Sequence, residues 1–272
     1  MPLKFHHACN SLESLSRAFH DADADTETAL SAKEVAIEVD VTWSSVIKTA
    51  VTGHTALSSD ARAPTFKTWM DHFLRHKPVA GVKVLKLDIK NVDAMLEVVD
   101  VVRLLASELR GTEIWINSDL LIGPGGDDLF APDPLDPYHF FTKLRHLPLG
   151  ARLSLGWCTG WTPVIQRDWY TKKHCEEMRS LVQRFDWLIG GRPITFAVRA
   201  SMYRDSHVEL ARLLEAIPGS SLTLWTWVEG LPQSDLELAR ATVPRGRLVE
   251  DCGRGSRREW GDPARWMGLP FQ

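Results

Sequence analysis

Four cysteines in 272 residues, at 9, 158, 175 and 252, form no CxxC pair. That argues against a zinc knuckle and gives a disulfide framework little footing, so a reducing compartment is the simpler reading. The chain also lacks a run of five or six basic residues and carries a formal net charge of −3, so nucleic acid is not an expected partner. No apolar stretch approaches the roughly 18 to 20 residues that a membrane span needs. The opening MPLKFHHACN is not built like a signal peptide. Together these absences lead to the expectation of a soluble, cytoplasmic protein without a transmembrane segment. Internal repeats and low-complexity linkers are missing too. What is present is ordinary globular composition, 44% hydrophobic and 25% charged, enough for a large core and, by expectation, one domain spanning residues 1–272.

Short β-rich runs alternate with helical ones. The strand candidates are LKFHHA (3–8), VAIEVDV (35–41), IKTAVTGH (47–54), VLKLDIK (84–90), EIWINSDL (113–120), RLSLGW (152–157), ITFAVRA (194–200) and SLTLWTW (221–227). Amphipathic stretches lie between most of them: SLESLSRAFHDA, PTFKTWMDHFLRH, VDAMLEVVDVVRLLASELR, DPYHFFTKLRHL, KKHCEEMRSLVQRFDWL and SHVELARLLEAI. Eight strands with interleaved helices in about 250 residues is the arithmetic of an α/β (β/α)8 TIM barrel. The second and third strands are joined by too short a link for a helix, so that unit is expected to be degenerate. The tail at about 251–272, rich in Gly, Arg and Trp, is expected to wrap the barrel as loop.

Strand parity separates two faces. In VAIEVDV, Val35, Ile37, Val39 and Val41 share one face, and Ala36, Glu38 and Asp40 the other. The split recurs as Leu85, Leu87 and Ile89 against Lys86, Asp88 and Lys90, and as Ile114 and Ile116 against Trp115, Asn117 and Asp119. Ile194, Phe196 and Val198 likewise oppose Thr195, Ala197 and Arg199, while Leu222 and Leu224 oppose Thr223, Trp225 and Trp227. Five strands thus offer an apolar face to outer helices and a polar or aromatic face to the barrel interior. The polar groups fall late in their strands, toward the C-terminal mouth where active sites of this fold lie.

Barrel interiors also contain structural ion pairs, and Lys86 beside Asp88 can simply neutralise it. Convergence is the counterweight: three carboxylates, two lysines, an asparagine and an arginine aimed at one cavity cost several kcal/mol each if unpaired. Glu38, Asp40 and Asp88, with no clustered Cys or His, suit a hard cation such as Mg2+ or Ca2+. Such an ion bridges phosphate oxygens, and Lys90 and Arg199 add positive charge for an anionic group. The first strand ends near His6, His7 and Asn10, and the third at His54, so two histidines can face each other as acid and base. His20, His72, His76, His139, His146, His174 and His207 fall on helices or loops and are expected to be solvated or packed.

HACNS, IEVDV, GH, KLDIK, WINSDLLIGP, LSLGWCTG, YT, ITFAVRA and SLTLWTW follow one another over residues 6–251. In that order they resemble the menorin (FAM151) family of the PLC-like phosphodiesterase superfamily. A more distant likeness is to glycerophosphodiester phosphodiesterases and spider-venom phospholipase D (sphingomyelinase D). The resemblance implies a metal-dependent phosphodiesterase acting on a small or lipid phosphodiester, with a divalent cation on Glu38, Asp40 and Asp88. It implies His7 and His54 as catalytic groups, His7 being preferred to His6 by parity with Phe5. Asn10, Lys86, Lys90, Asn117, Asp119, Trp157, Arg199 and Trp225 are the expected substrate contacts. Water or a substrate hydroxyl can be the attacking group. Two departures stand out: GHTALSSD replaces a proline-rich step, and GWCTG followed by WTPVIQRDWYT looks like an elaborated lid. The alternative is a non-catalytic barrel that binds a ligand or protein partner through the same pocket.

Overall fold

A computed structural model describes residues 4–28, 35–54, 63–126, 132–160, 168–226 and 232–251. Its strands are β1 (Lys4–His6), β2 (Val35–Ser44), β3 (Thr49–Thr52), β4 (Val82–Ile89), β5 (Glu113–Ile122), β6 (Arg152–Cys158), β7 (Ile194–Arg199), β8 (Ser221–Trp225) and β9 (Leu248–Asp251). The helices are α1 (Leu12–Thr28), α2 (Phe66–Ala80), α3 (Val92–Leu104), α4 (Pro137–Leu144), α5 (Lys172–Arg184), the single turn α6 (Asp186–Ile189), α7 (Tyr203–Ala216) and α8 (Gln233–Thr242). Hydrogen-bonded neighbours run β1-β2-β4-β5-β6-β7-β8-β9, all parallel. β9 returns beside β1, which leaves a nearly closed TIM barrel of eight staves.

Two strand expectations need correction. The run 47–54 yields β3, which folds back antiparallel on β2, with Val41 opposite Thr52 and Ser44 opposite Thr49. It is half of a hairpin, because a link this short reverses the chain and cannot cross over to a parallel neighbour. The eighth stave is instead β9, whose last residue, Asp251, the sequence reading had placed at the start of the tail. Residues 252–272 lie outside those described, as do most of the GHTALSSD step and of the segment after GWCTG. The helix α8, which follows β8, was not anticipated.

Helix starts are tied to strand ends on the mouth side. Asn91, directly after Lys90, caps α3 by accepting from the Ala94 amide at 3.0 Å and also donates to Thr42 Oγ1 at 2.8 Å. Asp136 caps α4 through the His139 amide, with Pro137 opening the helix, and Thr171 and His174 form a reciprocal capping box on α5. The step from strand to helix is short after β4, where the cap Asn91 follows Lys90 directly.

The parity reading holds in the packing. Val35, Ile37, Val39, Val41, Leu85, Leu87, Ile114, Ile116, Phe196, Val198, Leu222 and Leu224 are buried in the layer between sheet and helices. Each such side chain contributes about 1.5–3 kcal/mol by leaving water. Inside the barrel, Phe5, Ala36, Val84 and Trp115 close the N-terminal end as a small apolar plug. Above that plug the interior turns polar.

Candidate active site

The next inward residues after the plug are His7 on the loop after β1, Glu38 on β2, Lys86 on β4 and Asp251 at the end of β9. They form one buried knot. His7 Nδ1 abuts Glu38 Oε2, and His7 Nε2 lies 2.7 Å from Asp251 Oδ1 and 2.6 Å from that residue's backbone oxygen. Lys86 Nζ donates to Asp251 Oδ2 at 2.8 Å and sits 3.3 Å from Glu38 Oε1. With both acids ionised and both bases protonated, the knot is neutral. Burial drags the His7 pKa down, but the charges of Asp251 and Glu38 overcome it and leave it well above the usual histidine value. Burial lifts Glu38 and Asp251, and His7 followed by Lys86 more than reverses this, so both carboxyls end below their ordinary range. His7 is accordingly an imidazolium with both ring nitrogens engaged.

One level nearer solvent, Asp40 and Asp88 face each other in register. Lys90 bridges them, with Nζ 2.9 Å from Asp40 Oδ1 and 2.7 Å from Asp88 Oδ2. Two asparagines aim these acids. Asn10 donates to Asp40 Oδ2 at 2.8 Å and accepts from the Asp40 amide at 2.9 Å, while Asn117 donates to Asp88 Oδ1 at 2.9 Å and accepts from Ser154 at 2.6 Å. Asn10 is itself reached through a strained turn in which Ala8 adopts φ 47.

His54 follows Gly53, whose φ of 150 suits a residue without Cβ and whose amide bonds to the Asp40 carbonyl. Burial and then the Lys90 charge lower the His54 pKa, against the opposing pull of Asp40 and Asp88. The two histidines thus differ in charge near neutrality. Asp119, near the end of β5, is a further acid of the mouth. Burial and Asp88 push its carboxyl up to about 7 against the pull of Lys90 and Lys86.

The basic and aromatic expectations divide. Arg199, at the end of β7, is buried, donates to the Gly160 carbonyl at 2.9 Å and lies 5.9 Å from the centre of the half-buried Trp225 ring. Arg199, Trp225 and Asp251 are register neighbours across β7, β8 and β9. Trp157 does not join them. It is 1% exposed and packs on Tyr170 and Phe196 outside the barrel, because its parity on β6 is that of Leu153 and Leu155. As a substrate contact it is therefore corrected to a core residue. Lys86, expected at the substrate, is instead enclosed by two acids.

Sequence reasoning missed Asp251. Its signal was the short alternation in LVED before the Gly- and Arg-rich tail, too brief to outweigh the composition around it. Two donor sets for a cation emerge. His7, Glu38 and Asp251 each place a ligand atom within 4.8 Å of the others, and Glu38 Oε2 and Asp251 Oδ1 are buried without a well-aligned hydrogen bond among the described residues. The expected set, Glu38, Asp40 and Asp88, already has a cation between two of its members, the Lys90 ammonium. A separate cavity of about 680 Å3 borders Leu120–Gly125 and the start of α5, and none of the charged mouth residues lines it.

Fold and site together define a parallel (β/α)8 barrel with a dense acid-base cluster at its C-terminal mouth. Its family follows from comparison: the Menorin N-terminal domain profile matches residues 2–248, and the chain belongs to the menorin family. It is 29% identical over 165 residues to Protein FAM151B of Homo sapiens, an alignment covering 60% of this chain and 53% of that protein. The chain thus spans about half the length of this relative. No described helix is long and apolar enough to cross a membrane.

Proposed function

We propose that this barrel is a metal-dependent phosphodiesterase acting on a small or lipid phosphodiester. The observation that carries the reading is the convergence of Glu38, Asp40, Asp88 and Lys90 at the catalytic end of the fold, where burial and the Lys90 charge also lower the His54 pKa. A neutral imidazole there accepts the proton of an attacking water or substrate hydroxyl. The imidazolium of His7, held by Glu38 and Asp251, is a fixed positive charge beneath the reacting phosphoryl group. Arg199 and, once released from its acids, Lys90 supply further positive charge to the phosphate oxygens.

Glu38, Asp40 and Asp88 are the residues that would hold Mg2+ or Ca2+. The position of the Lys90 ammonium supports this, since a cation already fits between Asp40 and Asp88. When bound, the metal ion supplies Lewis-acid charge for a phosphoryl oxygen.

A second reading has its own support. His7, Lys86 and Lys90 are all engaged by acids, as in a non-catalytic menorin-like barrel that binds a ligand or protein partner. A turnover screen separates the two. Glycerophosphodiesters, lysophospholipids and aryl phosphodiesters are assayed with Mg2+, with Ca2+ and with chelator. Metal-dependent release of an alcohol or a cyclic phosphate supports the enzyme, and binding without turnover supports the second reading.

A further inference from the structure

In the outer ring of helices, α1 and α2 meet at a pair of histidines that the mouth does not use. His72 and His76 stand four residues apart on α2 and so share one face of it. Their ring centres are 4.3 Å apart, and both rings are half-buried. Two contacts decide which nitrogens carry lone pairs. His76 Nδ1 lies 2.9 Å from the His72 carbonyl oxygen, which can only accept, so the proton of the neutral ring is on Nδ1 and the lone pair on Nε2. This backbone bond is also the kind that fixes the ring of a metal-ligating histidine. His72 Nε2 lies 3.0 Å from the hydroxyl of Ser16 on α1, which has no other acceptor among the described residues and donates to it. Burial, and then the charges of His76 and Arg75, lower the His72 pKa, which favours the neutral form that a ligand needs. The ring of Phe19, also on α1, stacks on His76 with its centre 5.5 Å away. The neighbouring bases are turned elsewhere: Arg75 Nε donates to the Asp71 carbonyl, and Lys77 Nζ to the carbonyls of Glu108 and Arg110.

We propose that His72 and His76 chelate a divalent transition metal, Zn2+ or Cu2+, through their Nε2 atoms, at a site separate from the mouth. Two imidazoles one turn apart on a helix suit these ions, whereas Mg2+ and Ca2+ prefer oxygen. The ion displaces the Ser16 hydroxyl from the His72 lone pair, and the hydroxyl turns to solvent. Water completes the coordination, because among the described residues no Cys, Asp, Glu or further His adds a third ligand atom within 4.8 Å of both. The site does not depend on the phosphodiesterase reading.

Cu2+ is the first probe, since its EPR spectrum reports the coordinated nitrogens. The tag-free chain is titrated with Cu2+, and with Zn2+ by calorimetry, both in excess Mg2+. The wild type is expected to bind one ion through two imidazole nitrogens. In His72→Gln and in His76→Gln the affinity should fall on the order of 100-fold, because the second imidazole no longer binds intramolecularly, while a metal-free melt checks that each variant folds. His54→Ala, which removes an imidazole of the mouth, should bind as the wild type does. A further check needs no variant: Zn2+ should shield His72 and His76 of the wild type from diethyl pyrocarbonate, read by mass spectrometry. Binding that survives both α2 substitutions, binding lost in His54→Ala instead, absence of shielding, or a folded wild type that takes up neither ion would overturn the assignment.

Discussion

Replacing Asp251 with Asn removes one charge from a buried, neutral knot of four. His7 and Lys86 are then two cations facing a single acid, Glu38, in a place where the Lys86 and Asp251 side chains are 3% and 0% exposed. Breaking a buried pair by removing one partner costs about 3–5 kcal/mol. In a domain of this size each kcal/mol is worth about 2–4 °C in Tm, so a fall of roughly 6–20 °C is expected by thermal melt at pH 7. His7 can limit the loss by releasing its proton, and its pKa should then drop toward or below the ordinary histidine value, visible by NMR titration. The double variant Asp251→Asn/Lys86→Met restores neutrality and should recover part of the lost stability. If Asp251→Asn melts within a degree or two of the wild type and His7 titrates unchanged, the four-residue knot does not support this end of the barrel.

Three further outcomes follow from the same charges. His7 titrates higher in the fold than in the unfolded chain, so the stability it contributes is complete below about pH 6.5 and is lost as pH rises through the raised native value. The stability gap between wild type and His7→Asn should therefore narrow from pH 6 to pH 10 in urea melts, and a constant gap would contradict it. For Asp119 the raised value means that the fold grows less stable as pH rises from the unfolded carboxyl's range to about 7. Asp119→Asn should thus gain on the wild type across that window and no further above it. Lys90→Met strips the ammonium from Asp40 and Asp88, so the metal-free protein should melt lower while Mg2+ or Ca2+ raises its Tm more than that of the wild type. Saturation at about 100 times the dissociation constant is worth about 2.7 kcal/mol, and an equal or smaller shift than in the wild type would refute the competition.

Much of this was legible in sequence because period-2 alternation is a local signal. Val35 to Val41 announces both its outer face and the inward Glu38 and Asp40, and KLDIK announces Asp88 in the same way. Closure was harder to read. IKTAVTGH has the composition of a strand, but only the length of its link to β2 tells a hairpin from a stave. The true eighth stave is four residues long and ends on Asp251, the residue that completes the His7 knot from 244 positions away in the chain. No local pattern reports a partner so distant. Trp157 failed for a related reason: its aromatic character was read before its parity. The commitment of His7 to Asp251 is likewise a product of how the barrel closes, whereas Lys90 meets Asp88 within its own motif and Asp40 on the neighbouring strand.

The most direct test is the rate of phosphodiester cleavage by wild type and His54→Ala, prepared identically and assayed with Mg2+ or Ca2+ and with chelator. The expected result is metal-dependent turnover by the wild type and a loss on the order of 100-fold or more in His54→Ala with little change in melting temperature. Turnover that survives the loss of His54, or a wild type that binds phosphodiesters and never cleaves them, would contradict a catalytic role for the mouth of this barrel.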